Sequence, residues 1–566
     1  EPNAFLAEPA TDGGLDVWAS TQSIFGVRDA VAKVAGLDRQ QVRVQAPWVG
    51  GGFGAKGGVY PEQLIVAALA ARLGRAVLWV ETRTENLLGM THGRGQLQEV
   101  AIGVKRDGTI TALQARLIAE VGAYAWRGAF IPMVSSLMLS GCYRIPRIAV
   151  STAGVATNTT PTGPYRGAGR PEAIFIIERL IDEAARKTGI DRIELRRRNF
   201  IRPEQMPYRN PMKKTYDSGQ FEKVMNAALA LSDWNGFAAR MAATKARGKL
   251  RGQGIATFLE WTGVDLFTES VSVTVSGDGY IEMFSATQGM GQGLLTTYAQ
   301  LAVDVFGVPI DKVRILQGDT DRGTGFGSAG SRSLFVGGSA VYVAAKETVE
   351  HARTLASQSM EAAVADIEYA NGEFRIAGTD RRVGLFELAA MQEGRRIDVG
   401  SKSSVDDATW PNGAHVCEVE IDPETGEVVI DGYWSVNDVG RVVNPMIVRG
   451  QLEGGALQGI GQALCERVVY DRESGQLLTG TLMDYALPRA EMIRQFTMTM
   501  DESTPCRNNP LGVKGVGELG TIGATPVLVN AIIDALWRAG NRQAGKLQMP
   551  LTSEVLLDAC RATTVG

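Results

Sequence analysis

Residues 512–524 read GVKGVGELGTIGA, five glycines around the single carboxylate of Glu518. Glycine loses more backbone freedom on folding than any other residue, so this clustering carries an entropic cost that a plain surface loop has no need of. A carboxylate presented this way suits proton transfer, provided the proton it removes lies within hydrogen-bond reach. Glycines also cluster at 50–58, 163–169, 289–293 and 323–338, and the chain holds 67 in 566 residues, about 12 % against roughly 7 % on average. Gln22, Gln288, Gln292 and Gln458 lie in or beside such clusters and add neutral donors and acceptors. Bare backbone lets N–H groups approach a ligand closely. The combination suits a large, multiply charged cofactor approached by main chain from several sides. For any one of these glutamines a surface or capping amide is the simpler reading, and it is their repeated association with glycine turns that points to a ligand.

The cluster at 50–58 carries a second reading. Gly52-Phe53-Gly54-Ala55-Lys56-Gly57 fits G-x-G-x-x-G, with a strand-like segment before it, a helix from Pro61 and Glu81 ending the run RAVLWVE. That is the outline of a dinucleotide fingerprint, without further βαβ repeats downstream. A Walker loop is excluded by Ala55 and Gly57, which stand where Gly and Ser or Thr are required. The five cysteines are scattered and never spaced C-x-x-C, and there are three histidines. This argues against a disulfide framework, a thiolate zinc site or an iron–sulfur site in this chain, and for a reducing, cytoplasmic setting.

Elements must position these loops. LDVWASTQ (15–22) and IEMFSATQ (281–288) both alternate like half-buried strands and end in Thr-Gln. Helix-like stretches follow, stopping at Gly36 and Gly307, then the short strands QQVRV and DKVRI, then glycine loops. Chance likeness of common elements is one reading; two related lobes is the other. The basic stretch ATKARGKLRGQG (243–254) reads as a flexible border, dividing the chain into lobes 1–245 and 246–566, the second carrying Glu518. Hairpins are expected at 104–110, 271–283 and 418–430, each with a Gly turn between alternating apolar residues. Helices are expected at 170–189 and 525–540, the latter with Thr525 as N-cap, Pro526 at the first position and Gly540 beyond its end. The fold class is α+β, two related mixed lobes.

Net charge is −4 from 58 basic and 62 acidic residues, without long runs of either sign. That argues against nucleic acid or an anionic membrane as the main partner. No run approaches 18 consecutive apolar residues, so no transmembrane helix is expected.

Six motifs in this order carry a resemblance: GGGFGAK (50–56), PYRGAGR (164–170), TQGMGQG (287–293), GSAGSRS (327–333), EGGALQGIG (453–461) and VKGVGE (513–518). Together they resemble the large, molybdenum-binding subunit of the xanthine dehydrogenase/aldehyde oxidase family of molybdenum hydroxylases. The set spans nearly the whole chain. Similarity is greatest to carbon monoxide dehydrogenase-like bacterial large subunits. The resemblance implies molybdopterin held between two lobes, commonly in bacteria as the cytosine dinucleotide. It implies Gln22 and the Phe53-Gly54 turn against the metal's apical oxo group, and the Arg166 backbone near the dithiolene. Gly291, Gln292, Gly293, Ser331, Ser333 and Gln458 would bind the pterin and its phosphates, with Gly517 beside them. Glu518 would be the general base, taking a proton from the metal-bound oxygen that attacks an electron-poor carbon. No direct protein ligand to molybdenum is expected.

The sequence departs from the family pattern at the substrate end. Copper-bearing carbon monoxide dehydrogenases carry a Cys directly after the Arg of the third loop, and here that residue is Gly167. Purine-selective members place a Glu where Gly57 stands and an Arg before the CYRIP-like segment, and IPMVSSLML (131–139) has none. Ala168 replaces a common aromatic. An aldehyde or an uncharged N-heterocycle is therefore expected as substrate. The resemblance also implies a small [2Fe–2S] subunit, a medium FAD subunit, a further N-terminal part of the large subunit and a dimer of heterotrimers. Two alternatives stand beside this: an NAD- or FAD-binding oxidoreductase using residues 50–58, and an inactive scaffold of the same fold.

Overall fold

The computed structural model describes residues 1–562; the last four residues of the 246–566 half lie outside it. The chain forms two compact units. The first comprises residues 1–81, 263–408 and 508–513, and the second 82–262, 409–507 and 514–566.

The first unit holds two four-stranded sheets of the same plan. One is ordered Val42–Gln45, Leu15–Ala19, Ala4–Pro9, Val77–Val80, with the first pair parallel and the others antiparallel. The other is ordered Val313–Leu316, Tyr280–Ser285, Thr268–Ser276, Arg396–Ser404, with the same directions. Period-two burial follows the sequence pattern, as Leu15, Val17 and Ala19 are buried while Asp16 and Trp18 are only partly so. Between the parallel strands of each sheet runs a helix, Ile24–Ala35 or Leu294–Phe306. Each helix ends on a left-handed glycine, Gly36 at φ +69° and Gly307 at φ +62°, a conformation in which a Cβ is costly. The repeat read from 15–22 and 281–288 is thus a repeat of topology.

The second unit repeats as well. Strands Gln96–Val104 and Ile110–Gly122 form a hairpin, and Ile148–Ala156 joins Ile110–Gly122 in parallel. Strands Asn412–Ile421 and Val428–Asp438 form another, joined in parallel by Phe496–Asp501. Each group is followed by a long helix, Arg170–Thr188 or Leu519–Arg538. The three expected hairpins are all present. Each half of the chain contributes one four-stranded sheet to the first unit and one hairpin with its parallel strand to the second. The halves 1–245 and 246–566 describe chain order; the compact units draw on both.

Three readings need correction. Residues 243–254 are not a flexible border. They comprise the end of helix Phe237–Ala246 and the start of the buried strand Leu250–Leu259. Two of the basic side chains there are ion-paired, buried Arg251 with Glu418, Glu420 and Asp431, and Arg247 with Glu420.

The last long helix starts at Leu519 rather than 525, and Pro526 lies inside it. Tertiary contact overrides the local signal. A Cβ on Gly520 would lie 2.1 Å from the Leu452 carbonyl oxygen of helix Pro445–Leu464. Thr521 and Thr525 donate to the Gly455 and Gly459 carbonyls of that helix, at 2.9 and 3.4 Å, so Thr525 is not a cap. Gly252 and Gly254 let the same helix lie on the strand, since added Cβ atoms would be 2.0 and 2.1 Å from the Ala531 and Val527 carbonyl oxygens. This helix is long and apolar enough by length and composition to cross a membrane, and its apolar window is wholly buried in the protein.

The dinucleotide outline also fails in its geometry. Strands Val42–Gln45 and Val77–Val80 stand at opposite edges of their sheet. The loop N–H groups of Gly54, Ala55 and Gly57 are bonded to Gln22 Oε1, Gly52 O and Gly54 O. Helix Pro61–Leu73 begins beyond the last glycine, so no helix N-terminus is aimed from this loop at a pyrophosphate.

Candidate active site

In the second unit the segment carrying Glu518 is clamped before it reaches the helix. Buried Lys514 donates through Nζ to Asp438 at 2.8 Å, and its N–H donates to the Val439 carbonyl at 3.0 Å. The Gly515 N–H donates to Thr409 Oγ1 at 3.0 Å. Burial holds the Asp438 carboxyl above its usual range, with the Lys514 ammonium pulling the other way. Glu518 then stands immediately before helix Leu519–Arg538, where the aligned peptide dipoles favour a negative charge. Its Oε1 accepts from the Gly167 N–H at 2.9 Å and its Oε2 from Arg170 Nη2 at 2.6 Å.

The PYRGAGR loop supplies those two donors. Gly167, Ala168 and Gly169 run at φ +99°, +40° and +95°, and a left-handed alanine costs of order 1–3 kcal/mol. A Cβ at Gly167 would lie 2.4 Å from the Pro171 ring. The tight turn brings Arg170 to the first position of helix Arg170–Thr188.

Arg166 acts here through its side chain, whereas the family pattern drew attention to its backbone. Nε donates to the Gly517 carbonyl at 2.6 Å, Nη1 to Gln458 Oε1 at 3.1 Å, and Nη2 to the Gln451 carbonyl and side chain, both at 3.0 Å. Burial lowers the pKa of Arg166, and the Glu518 charge opposes that. Arg94 donates to the Arg166 carbonyl and pairs with Glu172. The second unit therefore brings together Arg166, Gln458, Gly517 and Glu518.

The first unit gathers the other expected residues around Gln22. Gln22 Oε1 accepts from the Gly54 N–H at 2.9 Å, and Nε2 donates to the Ser328 carbonyl at 2.9 Å. Glycines make this possible, since a Cβ on Gly52 would lie 2.6 Å from Gln22 Cγ and one on Gly327 2.3 Å from the Gln22 carbonyl oxygen. Ser328 Oγ donates to the Gln288 carbonyl at 2.8 Å and accepts from Ser333 Oγ at 2.9 Å. Phe53 and Ser331 hold left-handed backbone at φ +51° and +58°. Gln292 folds onto its own loop, accepting from the Met290 N–H and donating to the Gln288 carbonyl at 3.0 Å. Around Gly291 an added Cβ would meet nothing, and Gly293 turns the chain into helix Leu294–Phe306.

Several residues of these clusters carried no expected role. Arg170 lay inside a motif already singled out. Gln451 lies seven residues before Gln458, two turns along one helix face. Glu260, Arg94 and Gln317 gave no local signal. Oε1 of Gln288 and both amide atoms of half-buried Gln317 are buried and have no hydrogen-bond partner among the described residues. Unmade hydrogen bonds of this kind are costly, and they fit a ligand rich in donors and acceptors. Among the described residues no group of three or more His, Cys, Asp or Glu side chains is arranged to hold a metal ion.

Comparison with known proteins agrees with this geometry. The molybdopterin cofactor-binding domain family matches twice, over residues 1–200 and 227–494. The chain is 32 % identical to the 6-hydroxypseudooxynicotine dehydrogenase complex subunit gamma of Paenarthrobacter nicotinovorans, over 99 % of this chain and 72 % of that protein. It is 32 % identical to the carbon monoxide dehydrogenase large chain of Hydrogenophaga pseudoflava, over 96 % and 70 %. Among solved structures, quinoline 2-oxidoreductase from Pseudomonas putida 86 aligns with a TM-score of 0.93 at 34 % identity, covering 99 % of this chain and 74 % of that one. The chain belongs to the xanthine oxidase family of molybdenum hydroxylases, as a molybdopterin-binding large subunit.

Proposed function

We propose that this molybdenum-dependent oxidoreductase hydroxylates an N-heterocycle or an aldehyde, with Glu518 as general base. The observation that carries the reading is Glu518 itself, a single carboxylate before a helix, held by the Gly167 N–H and Arg170. When bound, molybdenum–molybdopterin, here as the cytosine dinucleotide, supplies the oxygen-transfer and two-electron chemistry. Glu518 takes a proton at one carboxylate oxygen. The Lys514–Asp438 pair and the Gly515–Thr409 bond keep that carboxylate from drifting. Gln22, Phe53, Gly54, Gly291, Gln292, Gly293, Ser331 and Ser333 of the first unit hold the cofactor, as do Arg166, Gln458 and Gly517 of the second. The partnerless Gln288 Oε1 and the Gln317 amide are further candidates. The lobes 1–245 and 246–566 are the two cofactor-binding repeats.

Heterocycles are favoured over carbon monoxide. A thiolate at position 167 would require a Cβ where the Pro171 ring stands. The relatives named for quinoline and 6-hydroxypseudooxynicotine point toward nitrogen-containing substrates. Electrons pass to a small [2Fe–2S] subunit and a medium FAD subunit, in a cytoplasmic dimer of heterotrimers. The test is turnover of the purified complex on a panel of N-heterocycles and aldehydes with a dye acceptor, alongside molybdenum analysis and nucleotide release on acid treatment. Turnover of a heterocycle with about one molybdenum and one cytosine nucleotide per chain supports the reading. A molybdenum-free protein, or one oxidising only carbon monoxide, overturns it.

A further inference from the structure

Four charged side chains of the second unit stand together away from water. Arg170 and Glu260 are 1 % and 0 % exposed, and the Glu518 side chain is 14 % exposed; Arg166 is buried with them. Two cations and two anions make the group neutral. Arg170 Nη2 donates to Glu518 Oε2 at 2.6 Å and lies 3.7 Å from Glu260 Oε1. Arg166 is tied by all three of its nitrogens to Gly517, Gln458 and Gln451, so it is not placed to follow a change in charge. Arg170 is: a movement of about 1 Å brings Nη2 from one carboxylate into hydrogen-bond range of the other.

A proton arriving on Glu518 leaves Arg170 without its nearest anion in a water-poor setting, which is strongly disfavoured unless another carboxylate takes up the freed cation. Glu260 stands where that carboxylate is needed. The surrounding charges are already committed. Arg94 pairs with Glu172, Lys514 with Asp438, and Glu178 and Asp182 with Arg196. Burial holds the Tyr165 phenol protonated, and it keeps the His415 imidazole neutral at about 3.

We propose that Arg170 is a positioning residue shared by two carboxylates, holding Glu518 as the anion before proton transfer and passing to Glu260 once Glu518 is protonated. No covalent bond of Arg170 or Glu260 changes. The proton sits on Glu518 until it leaves to solvent, and Arg170 then returns. This rests on Glu518 being the proton acceptor.

The test is the carboxyl stretch of residue 518, followed by infrared difference titration of the purified complex. The band is assigned by its loss in Glu518→Gln and compared with the acid limb of kcat/KM. Glu260→Gln leaves the group more positive, so Glu518 should titrate about 1 pH unit or more lower; Arg170→Gln leaves it more negative, so the shift should be of similar size upward. Arg170→Lys keeps the charge and should stay near wild type. Opposite shifts support the proposal, and an Arg170–Glu260 pair uncoupled from Glu518 would not produce them. Unmoved bands, or shifts of the same sign, overturn it. If Arg170→Gln fails to assemble, Glu260→Gln decides alone, and the absence of a downward shift overturns the proposal. Full turnover by Glu518→Gln would remove the base assignment separately, leaving the infrared shifts to report on the Arg170–Glu260 pair.

Discussion

The loop cluster around Gln22 in the first unit and the cluster around Glu518 in the second are built from different chemistry. The first uses neutral amides, hydroxyls and backbone. Gln22, Ser328, Ser333 and Gln288 are joined by bonds of 2.8–2.9 Å. The second uses buried charge, with Arg166, Arg170, Glu260 and Glu518 resting on the Lys514–Asp438 pair. Neutral dipoles can line a binding surface without changing state. Buried charges are sensitive to any proton that arrives, because charge is poorly screened away from water. On the proposed reading, the difference separates holding a ligand from moving a proton. Both clusters share one device, backbone held left-handed at non-glycine residues, Phe53 and Ser331 in one and Ala168 in the other.

That contrast can be broken by exchanging its symptoms. The largest effect is expected from Glu518→Gln, which should lower turnover by about 10²–10⁴-fold while molybdenum and pterin content stay at wild-type levels. Wild-type turnover would remove Glu518 from proton transfer. Next, Lys514→Met leaves Asp438 buried without its cation and should cost about 3–5 kcal/mol, seen as a lowered thermal unfolding midpoint. An unchanged midpoint would mean that this pair does not anchor the base-bearing segment.

Gln22→Ala should do the reverse of Glu518→Gln. It strips a partner from the Gly54 N–H and the Ser328 carbonyl, about 1–3 kcal/mol for each group left unpaired. The purified protein should lose cofactor, while the pH dependence of the molecules that retain it stays unchanged. A moved acid limb would show that the clusters are not chemically separate.

The smallest effect lies in the first unit at Asp319. Burial raises its pKa, but the Arg43 guanidinium and the Asp321 N–H outweigh this, and the net value is lowered. A carboxyl depressed on folding adds stability above its unfolded pKa of about 3.9 and loses it as pH falls through the folded value. Arg43→Gln should therefore flatten the acid side of the stability curve below about pH 4. An unchanged acid slope would assign the Arg43–Asp319 pair no part in it.

Much of the arrangement was legible along the chain. Period-two alternation marked Leu15–Ala19 and Tyr280–Ser285, and Gly36 and Gly307 marked the ends of the helices that follow. Glu518 and the glycine clusters were visible because a glycine-rich turn leaves a local trace. The helix from Leu519 was misread because Thr525 and Pro526 look like a start, and only the Leu452 and Gly455 carbonyls packed against it show otherwise. The 243–254 stretch looked like a linker because its charges found their partners near residues 418–431.

Composition and motif order by themselves determined the family pattern and the α+β class, and they singled out Glu518 as the candidate acid, since these depend on residue type and short-range spacing. The partners of that acid were decided in three dimensions. Arg170 and Glu260 are separated from Glu518 by hundreds of residues and meet it only when the 167–169 turn and the end of strand Leu250–Leu259 are brought to the same place. Buried charge acts over a few ångströms, and sequence distance carries no record of it.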